Sequence, residues 1–218
     1  MFTKAEENYL KAIFHLEQKG KKAVSTNAIA ARLDMKASSV TDMVKRLSGK
    51  GMLTHIKYKG TSLTQKGRMV AAGVVRKHRL WEVFLVDKLS FQWDEVHEIA
   101  EQLEHIHSPE LVERLDAFLG FPEYDPHGDP IPDKDGNIKR TEKKLLIELQ
   151  PGDKGICVGL AVSDNAFLSY LDKKNIRIGT PILVLEKEDF DRSMILKIKE
   201  ERVFVSQQIT ETIYIQLT

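Results

Sequence analysis

The chain has 218 residues, 42% of them hydrophobic, with 13 glycines and 7 prolines. This is the composition of a globular protein of one large or two small domains, and it excludes stapled miniature, collagen-like and disordered chains. The single cysteine, Cys157, can close no internal disulfide and build no thiolate zinc site. The opening residues lack the apolar core of an export signal, and no apolar run reaches the length of a membrane span, so a cytoplasmic protein is expected.

The net charge of +1 conceals segregation: residues 1–80 hold 17 Lys and Arg against 5 Asp and Glu, residues 81–135 hold 3 against 15, and residues 136–218 hold 13 against 12. Like charges grouped in this way repel one another. A basic segment followed by an acidic one points to a polyanion as ligand of the first and a cation as ligand of the second.

Over residues 4–16, Tyr9, Leu10, Ile13, Phe14 and Leu16 repeat at helical spacing until Gly20 stops the pattern. Ser25 or Thr26 is a suitable N-cap for a second short helix over 28–33. After the turn Asp34-Met35-Lys36, a third runs over about 37–47, ahead of Gly51. Val40, Val44 and Leu47 line its inward face, leaving Lys36, Ser38, Ser39, Thr41, Asp42, Lys45 and Arg46 outside. Short hydroxyls that reach base edges, flanked by cations that hold phosphate, suit a helix lying in a major groove. Residues 52–56 and 61–64 read as two strands around the basic tip Lys57-Tyr58-Lys59-Gly60, where Lys57 and Lys59 extend the contact set. Three helices and this hairpin form a winged helix-turn-helix that binds double-stranded DNA.

A long helix is predicted over 65–89, and another from Trp93 or Asp94 to Ile106, stopped by Ser108-Pro109. His78 and Glu82 lie one turn apart on the first; His97, Glu101, Glu104 and His105 share one stripe of the second. Clustered carboxylates repel unless neutralised, and imidazole combined with carboxylate suits a first-row divalent ion better than calcium or magnesium. The opposite face carries Ile99, Ala100, Leu103 and Ile106 for packing. An apolar face over 96–106, continued by Leu111, Leu115 and Phe118, is a candidate seam for a homodimer, which would read an inverted repeat. The alternative is a metal-dependent hydrolase. No metalloprotease motif or activated nucleophile accompanies these donors, however, and a hydrolase leaves the basic segment without a purpose.

Residues 121–142 hold four of the seven prolines and mark a boundary. Beyond them, 145–149, 155–158, 181–185, 194–198, 202–205 and 212–215 read as short strands with one helix over 166–173, a small barrel in which Cys157 is buried and inert.

Five runs carry a resemblance: Glu7-Asn8-Tyr9-Leu10-Lys11-Ala12-Ile13, Lys77-His78-Arg79-Leu80-Trp81-Glu82, Trp93-Asp94-Glu95-Val96-His97-Glu98, Glu101-Gln102-Leu103-Glu104-His105, and Asp125-Pro126-His127-Gly128-Asp129-Pro130-Ile131-Pro132. Through them the chain resembles, over nearly its whole length, the diphtheria-toxin-repressor and manganese-transport-regulator (DtxR/MntR) family of metal-dependent bacterial repressors. The resemblance implies a mainly α N-terminal winged helix-turn-helix with a helical dimerisation domain, followed by a small all-β SH3-like (FeoA-type) C-terminal domain. The corresponding division is 1–72, 73–120, a Pro-rich linker 121–142, and 143–218.

It further implies a homodimeric repressor, not an enzyme, that binds a palindromic operator when metal is plentiful. One metal site would come from Asn8, Glu101, Glu104 and His105, and a second from His78, Glu82 and His97. Position 8 is often Met or Asp in the family; the Asn8 amide oxygen coordinates more weakly than a carboxylate. Glu101 stands where iron-sensing relatives have cysteine and manganese-sensing ones glutamate, so Mn(II) is the expected effector, with Fe(II) as the alternative. Lys11 replaces a carboxylate found in some manganese-type relatives, so their paired-metal arrangement is not implied. His127 reads as structural. The family's last domain can lend oxygens to the second site, but Ser163-Asp164-Asn165-Ala166 does not reproduce that pattern clearly.

Overall fold

A computed structural model of the protein describes residues 2–18, 20, 23–56, 60–139, 142–162 and 164–218. They fall into two compact units: Met1–His78 with Glu101–Arg114 and Pro132–Ile138, and Arg79–Ala100 with Leu115–Ile131 and Lys139–Thr218.

The first unit opens with α1 (Lys4–Gln18), α2 (Thr26–Leu33) and α3 (Ala37–Gly49), then the hairpin β1 (Leu53–Ile56) and β2 (Gly60–Leu63), and it takes in the beginning of α4 (Gln65–Leu89). Thr3 and Glu6 start α1 as a reciprocal cap: the Thr3 amide donates to Glu6 Oε2 at 3.0 Å and the Glu6 amide to Thr3 Oγ1 at 3.3 Å. Ser25 caps α2 by accepting from the Ala28 amide at 3.2 Å. Asp34 turns the chain toward α3 in the left-handed region, φ 52°, which a short polar side chain tolerates. Leu10, Ile13, Phe14, Ile29, Val40 and Leu47 fuse the three helices into one core joined by Ala71 and Val75 of α4. Each such large side chain contributes about 1.5–3 kcal/mol of burial. Val44 is only partly buried. The hairpin pairs in register Leu53 with Leu63, and Glu17 of α1 accepts from Ser62 Oγ and the Leu63 amide, both at 2.8 Å, while also pairing with Arg68. The hairpin tip, with Lys57 and Lys59, lies outside the described residues.

Helix α5 (Val96–Leu103) is shorter than the predicted 93–106. At its start Trp93 is committed elsewhere, its indole donating to Asp172 Oδ2 at 2.9 Å, and Glu95 caps the preceding turn by accepting from the Gln92 amide. At its end the Ile106 amide closes onto the Leu103 carbonyl, so Glu104 and His105 sit in a turn beyond the helix. Helix α6 (Pro109–Phe118) follows.

The second unit's sheet contains β3 (Lys144–Leu145), β4 (Lys154–Leu160), β5 (Pro181–Lys187), β6 (Met194–Ile198), β7 (Glu201–Val205) and β8 (Ile213–Leu217), antiparallel in the order β3-β8-β4-β5-β6-β7. Register shifts between Cys157 and Gly159 and between Val184 and Glu186 curve it, as bulges do, into the SH3-like form. In β6, Met194, Leu196 and Ile198 alternate inward. The predicted strand 145–149 instead becomes a 3-10 turn over Leu146–Glu148. Leu146 and Ile147 are both buried, which a strand's alternating faces would not allow, and Glu148 closes the turn on the Leu145 amide at 2.7 Å. Helix α7 (Asn165–Lys173) packs Leu168 and Leu171 into this core, and α8 (Gln207–Thr210), four residues long, carries no period to detect.

Candidate metal centre

In the first unit α1 lies against the turn that carries Glu104 and His105. Lys11 Nζ is 2.6 Å from Glu104 Oε2, 3.3 Å from His78 Nδ1 and 3.5 Å from Glu101 Oε1, and His78 Nδ1 is itself 2.6 Å from Glu104 Oε2. Burial pushes the Glu104 carboxyl up, but the His78 hydrogen bond and the Lys11 charge outweigh it and hold the group below the usual carboxylate range. His105 Nδ1 lies 2.6 Å from Glu7 Oε2, so Glu7, not Asn8, is the α1 side chain that meets this imidazole. Lys77 and His107 also approach Glu7, at 3.9 and 3.7 Å.

The decisive atom is His105 Nε2. It is the one buried side-chain nitrogen or oxygen among the described residues without a hydrogen-bond partner, and it sits 3.5 Å from Glu104 Oε1. An orphaned imidazole nitrogen is costly in a finished core, whereas a lone pair beside carboxylates fits a divalent cation.

Burial differs along the stripe that carries His97, Glu101, Glu104 and His105. Glu101 and His97 are exposed and Glu104 is buried. His97 Nδ1 lies 3.3 Å from Glu82 Oε1 in the second unit, and His78 stands one turn before Glu82 on α4.

The second unit gathers a group that spacing alone did not assign: Glu82, Asp125 and His127, all buried, with ligand atoms within 4.8 Å of one another. His127 Nδ1 is 3.7 Å from Glu82 Oε2 and 3.9 Å from Asp125 Oδ1; its Nε2 lies 2.9 Å from the Trp93 carbonyl oxygen. Burial lowers the His127 imidazole, but the Glu82 contact and the Asp125 charge reverse this and raise it to about 9. Burial, then the Glu82 and Asp129 charges, push the Asp125 carboxyl up to about 7 although Arg79 Nε lies 3.3 Å away. Sequence did hold a signal for this group: aspartate and histidine two apart, ahead of Gly128. At Gly128, φ is +80° and a Cβ would meet the Val158 carbonyl oxygen at 2.3 Å, so only glycine brings the loop this close to β4. Asp164 is occupied as the N-cap of α7, accepting from the Phe167 amide at 3.0 Å; Ser163 lies outside the described residues.

On α3 and its cap, Lys36, Ser38, Ser39, Thr41, Asp42, Lys45 and Arg46 are all exposed. The Thr41 hydroxyl donates to the Ala37 carbonyl at 2.9 Å, leaving its oxygen to accept, and Arg46 is held by Glu6.

Three family descriptions match successive segments: iron dependent repressor, N-terminal DNA binding domain, over residues 1–61; iron dependent repressor, metal binding and dimerisation domain, over 64–133; and FeoA domain over 144–217. The iron-dependent repressor IdeR of Mycobacterium tuberculosis is 32% identical over 209 residues, 94% of this chain and 82% of that protein. The chain belongs to the iron-dependent repressor family. Solved structures of similar proteins agree. A manganese-dependent transcriptional repressor in complex with manganese matches with a TM-score of 0.85 and 33% identity over 98% of this chain and all of that one. ScaR with bound zinc matches at 0.75 and 34% over 97% and 98%. As a member of the iron-dependent repressor family the protein is a metal-dependent transcriptional repressor whose partners are DNA, a divalent ion and a second copy of itself. The family consists of repressors, not enzymes, which removes the hydrolase alternative. Among the described residues no helix is long and apolar enough to cross a membrane.

Proposed function

We propose that the protein is a cytoplasmic Mn(II)-responsive repressor, with Fe(II) the competing effector, whose regulatory centre is the cluster of Glu101, Glu104 and His105 facing α1. The observation that carries this reading is the buried His105 Nε2 without a partner, beside the Glu104 carboxylate. Glu101 adds a hard oxygen, as does α1 through Glu7 or the Asn8 amide, a donor set suited to Mn(II) rather than to thiophilic ions. A bound divalent ion supplies there two positive charges where Lys11 supplies one.

The chain's own groups do the rest. Glu7 and Lys11 hold α1 against Glu104 and His105, and α1 shares its core with α3. Restraint of α1 is thereby restraint of the helix that reads DNA. A conformational preference of this kind needs an effector with differential affinity, and coupling of about 1–3 kcal/mol is typical. Glu82 with His97, and Glu82 with Asp125 and His127, are the candidate donors of a second site within the second unit. Residues 1–72 form the DNA-binding domain, 73–120 the metal-binding and dimerisation domain and 143–218 the FeoA-type domain. Segment 121–142 joins them and carries Asp125 and His127.

DNA contact falls to Lys36, Ser38, Ser39, Thr41, Asp42, Lys45 and Arg46, with Lys57 and Lys59 from the wing, and α5 and α6 supply the dimer seam. The test is fluorescence anisotropy on a duplex selected from a random pool by the Mn(II)-loaded protein. Mn(II) is expected to tighten binding at least tenfold over chelator, the scale of about 1.4 kcal/mol of coupling; equal affinity in both would overturn the reading.

A further inference from the structure

The metal cluster uses Glu7 and leaves its neighbour Glu6 unexplained. Glu6 is completely buried, yet it is a carboxylate in the most basic part of the chain. Each of its oxygens is engaged. Oε2 accepts from the Thr3 amide at 3.0 Å, and Oε1 accepts from Arg46 Nε at 2.8 Å and from Lys50 Nζ at 2.6 Å. Packing alone would be served as well by leucine, because burying a charge is expensive even when it is paired. The partners are the informative part: Arg46 lies in the last turn of α3 and Lys50 is its C-cap residue.

We propose that Glu6 is a positioning residue of the DNA-binding surface, tying the start of α1 to the end of α3 and fixing the Arg46 guanidinium and Lys50 ammonium in the attitude in which they meet operator phosphate. Among the described residues Arg46 is gripped through Nε, and its side chain is 51% exposed, which leaves the two terminal nitrogens as a fork toward solvent. That fork is the part of arginine that takes phosphate oxygens in pairs. Lys50 is 41% exposed and anchored at its head by the same oxygen. Two effects compete. The Glu6 charge repels phosphate, but from beneath the cations and across a screened surface. Ordering two long side chains before DNA arrives removes an entropic cost that binding would otherwise bear in full. Orientation outweighs repulsion here because Glu6 has no exposed surface through which to face the DNA directly.

The inference rests on the reading of α3 as the DNA-reading helix, and the experiment separates the two. Operator affinity of E6Q, R46M, R46K and the double variant E6Q/R46M is measured by anisotropy in saturating Mn(II) across a salt series. Mn(II) affinity of each is followed by electron paramagnetic resonance. E6Q is expected to bind operator about tenfold more weakly, with a salt slope shallower by about one, the loss of one charge-assisted phosphate contact. Its Mn(II) affinity stays within about twofold of the parent, the usual independence of sites that share no partner.

The double variant is expected to lose more than R46M, through Lys50, but less than the sum of the two single losses, and R46K, which keeps the charge without the fork, to fall with R46M. Unchanged or tighter binding by E6Q, a steeper slope, or additive losses in the double variant would each overturn the assignment, as would wild-type affinity of R46K. The last comparison decides the matter should E6Q fail to fold. An R46M protein with unaltered affinity and slope overturns the α3 reading and Glu6 with it; an R46M effect without an E6Q effect overturns Glu6 alone.

Discussion

Lys11→Met removes the ammonium from the carboxylate cluster and keeps most of the stem's volume. The ammonium lies 2.6 Å from a Glu104 oxygen, with the Glu104 side chain 1% exposed and that of Lys11 12%. Deleting one partner of a buried ion pair typically costs about 3–5 kcal/mol, because the survivor stays charged and uncompensated. Here His78 Nδ1 touches the same oxygen at 2.6 Å and can share a proton with it, so a loss of about 2–3 kcal/mol is expected in metal-free protein. For a chain of this size that lowers the first melting transition by about 5–10 °C. Calorimetry of chelator-treated and Mn(II)-saturated samples checks it. The deficit should be full without metal and at most half as large with it, since the ion neutralises the same carboxylates, and Mn(II) affinity should rise because no ammonium competes. Equal melting of variant and parent without metal, or the same deficit in both conditions, would refute the role given to Lys11.

His105→Ala, and separately Glu104→Ala, should abolish tight Mn(II) binding by paramagnetic resonance while circular dichroism stays native; normal Mn(II) response of operator binding in both would contradict the site. Gly128→Ala must place a Cβ 2.3 Å from the Val158 carbonyl oxygen at φ +80°. A loss of about 2–3 kcal/mol in denaturant melts is expected, with the Asp125–His127 loop displaced, and an unperturbed midpoint would show that the loop yields without cost. Burial pushes the Cys157 thiol up to about 11. At pH 8 roughly one molecule in a thousand is then thiolate, so labelling of the folded protein by a thiol reagent should run at least 100-fold slower than in urea; comparable rates would place the thiol at the surface.

Where several physical signals coincide, the fold is readable in the residues. The Gln65–Leu89 helix has length, period and no proline to break it, and it spans the predicted range. The strands after Gly152 are short, mainly apolar runs bounded by turn residues, and they pair as one sheet. Elsewhere tertiary contacts override the local pattern. Trp93 belongs to the helical period of 93–106, yet its indole is captured by Asp172 and its ring stacks on His127, which starts the helix later. Leu146 and Ile147 look like strand residues, but both must be buried at once.

The candidate site shows a different limit. Successive residues of a helix are about 100° apart, so a run such as Glu6-Glu7-Asn8 presents three side chains to three directions, and composition cannot say which faces which neighbour. The phase is set elsewhere, by burial of Leu10, Ile13 and Phe14, and with that phase Glu6 falls on Arg46 and Lys50 while Glu7 falls on His105. The segment's charge count then acquires a meaning. Of the five acidic residues among the first 80, Glu6, Glu7 and Glu17 are all on α1, and each carboxylate joins α1 to another element: α3, the turn after α5, and β2 with the start of α4. Three of the five negative charges in this positive module are internal fastenings, and Arg46 and Lys50, although held by Glu6, keep exposed surface for DNA. Removing any of the three should therefore disturb DNA binding through the orientation of α1 and its neighbours, rather than through the small change in net charge.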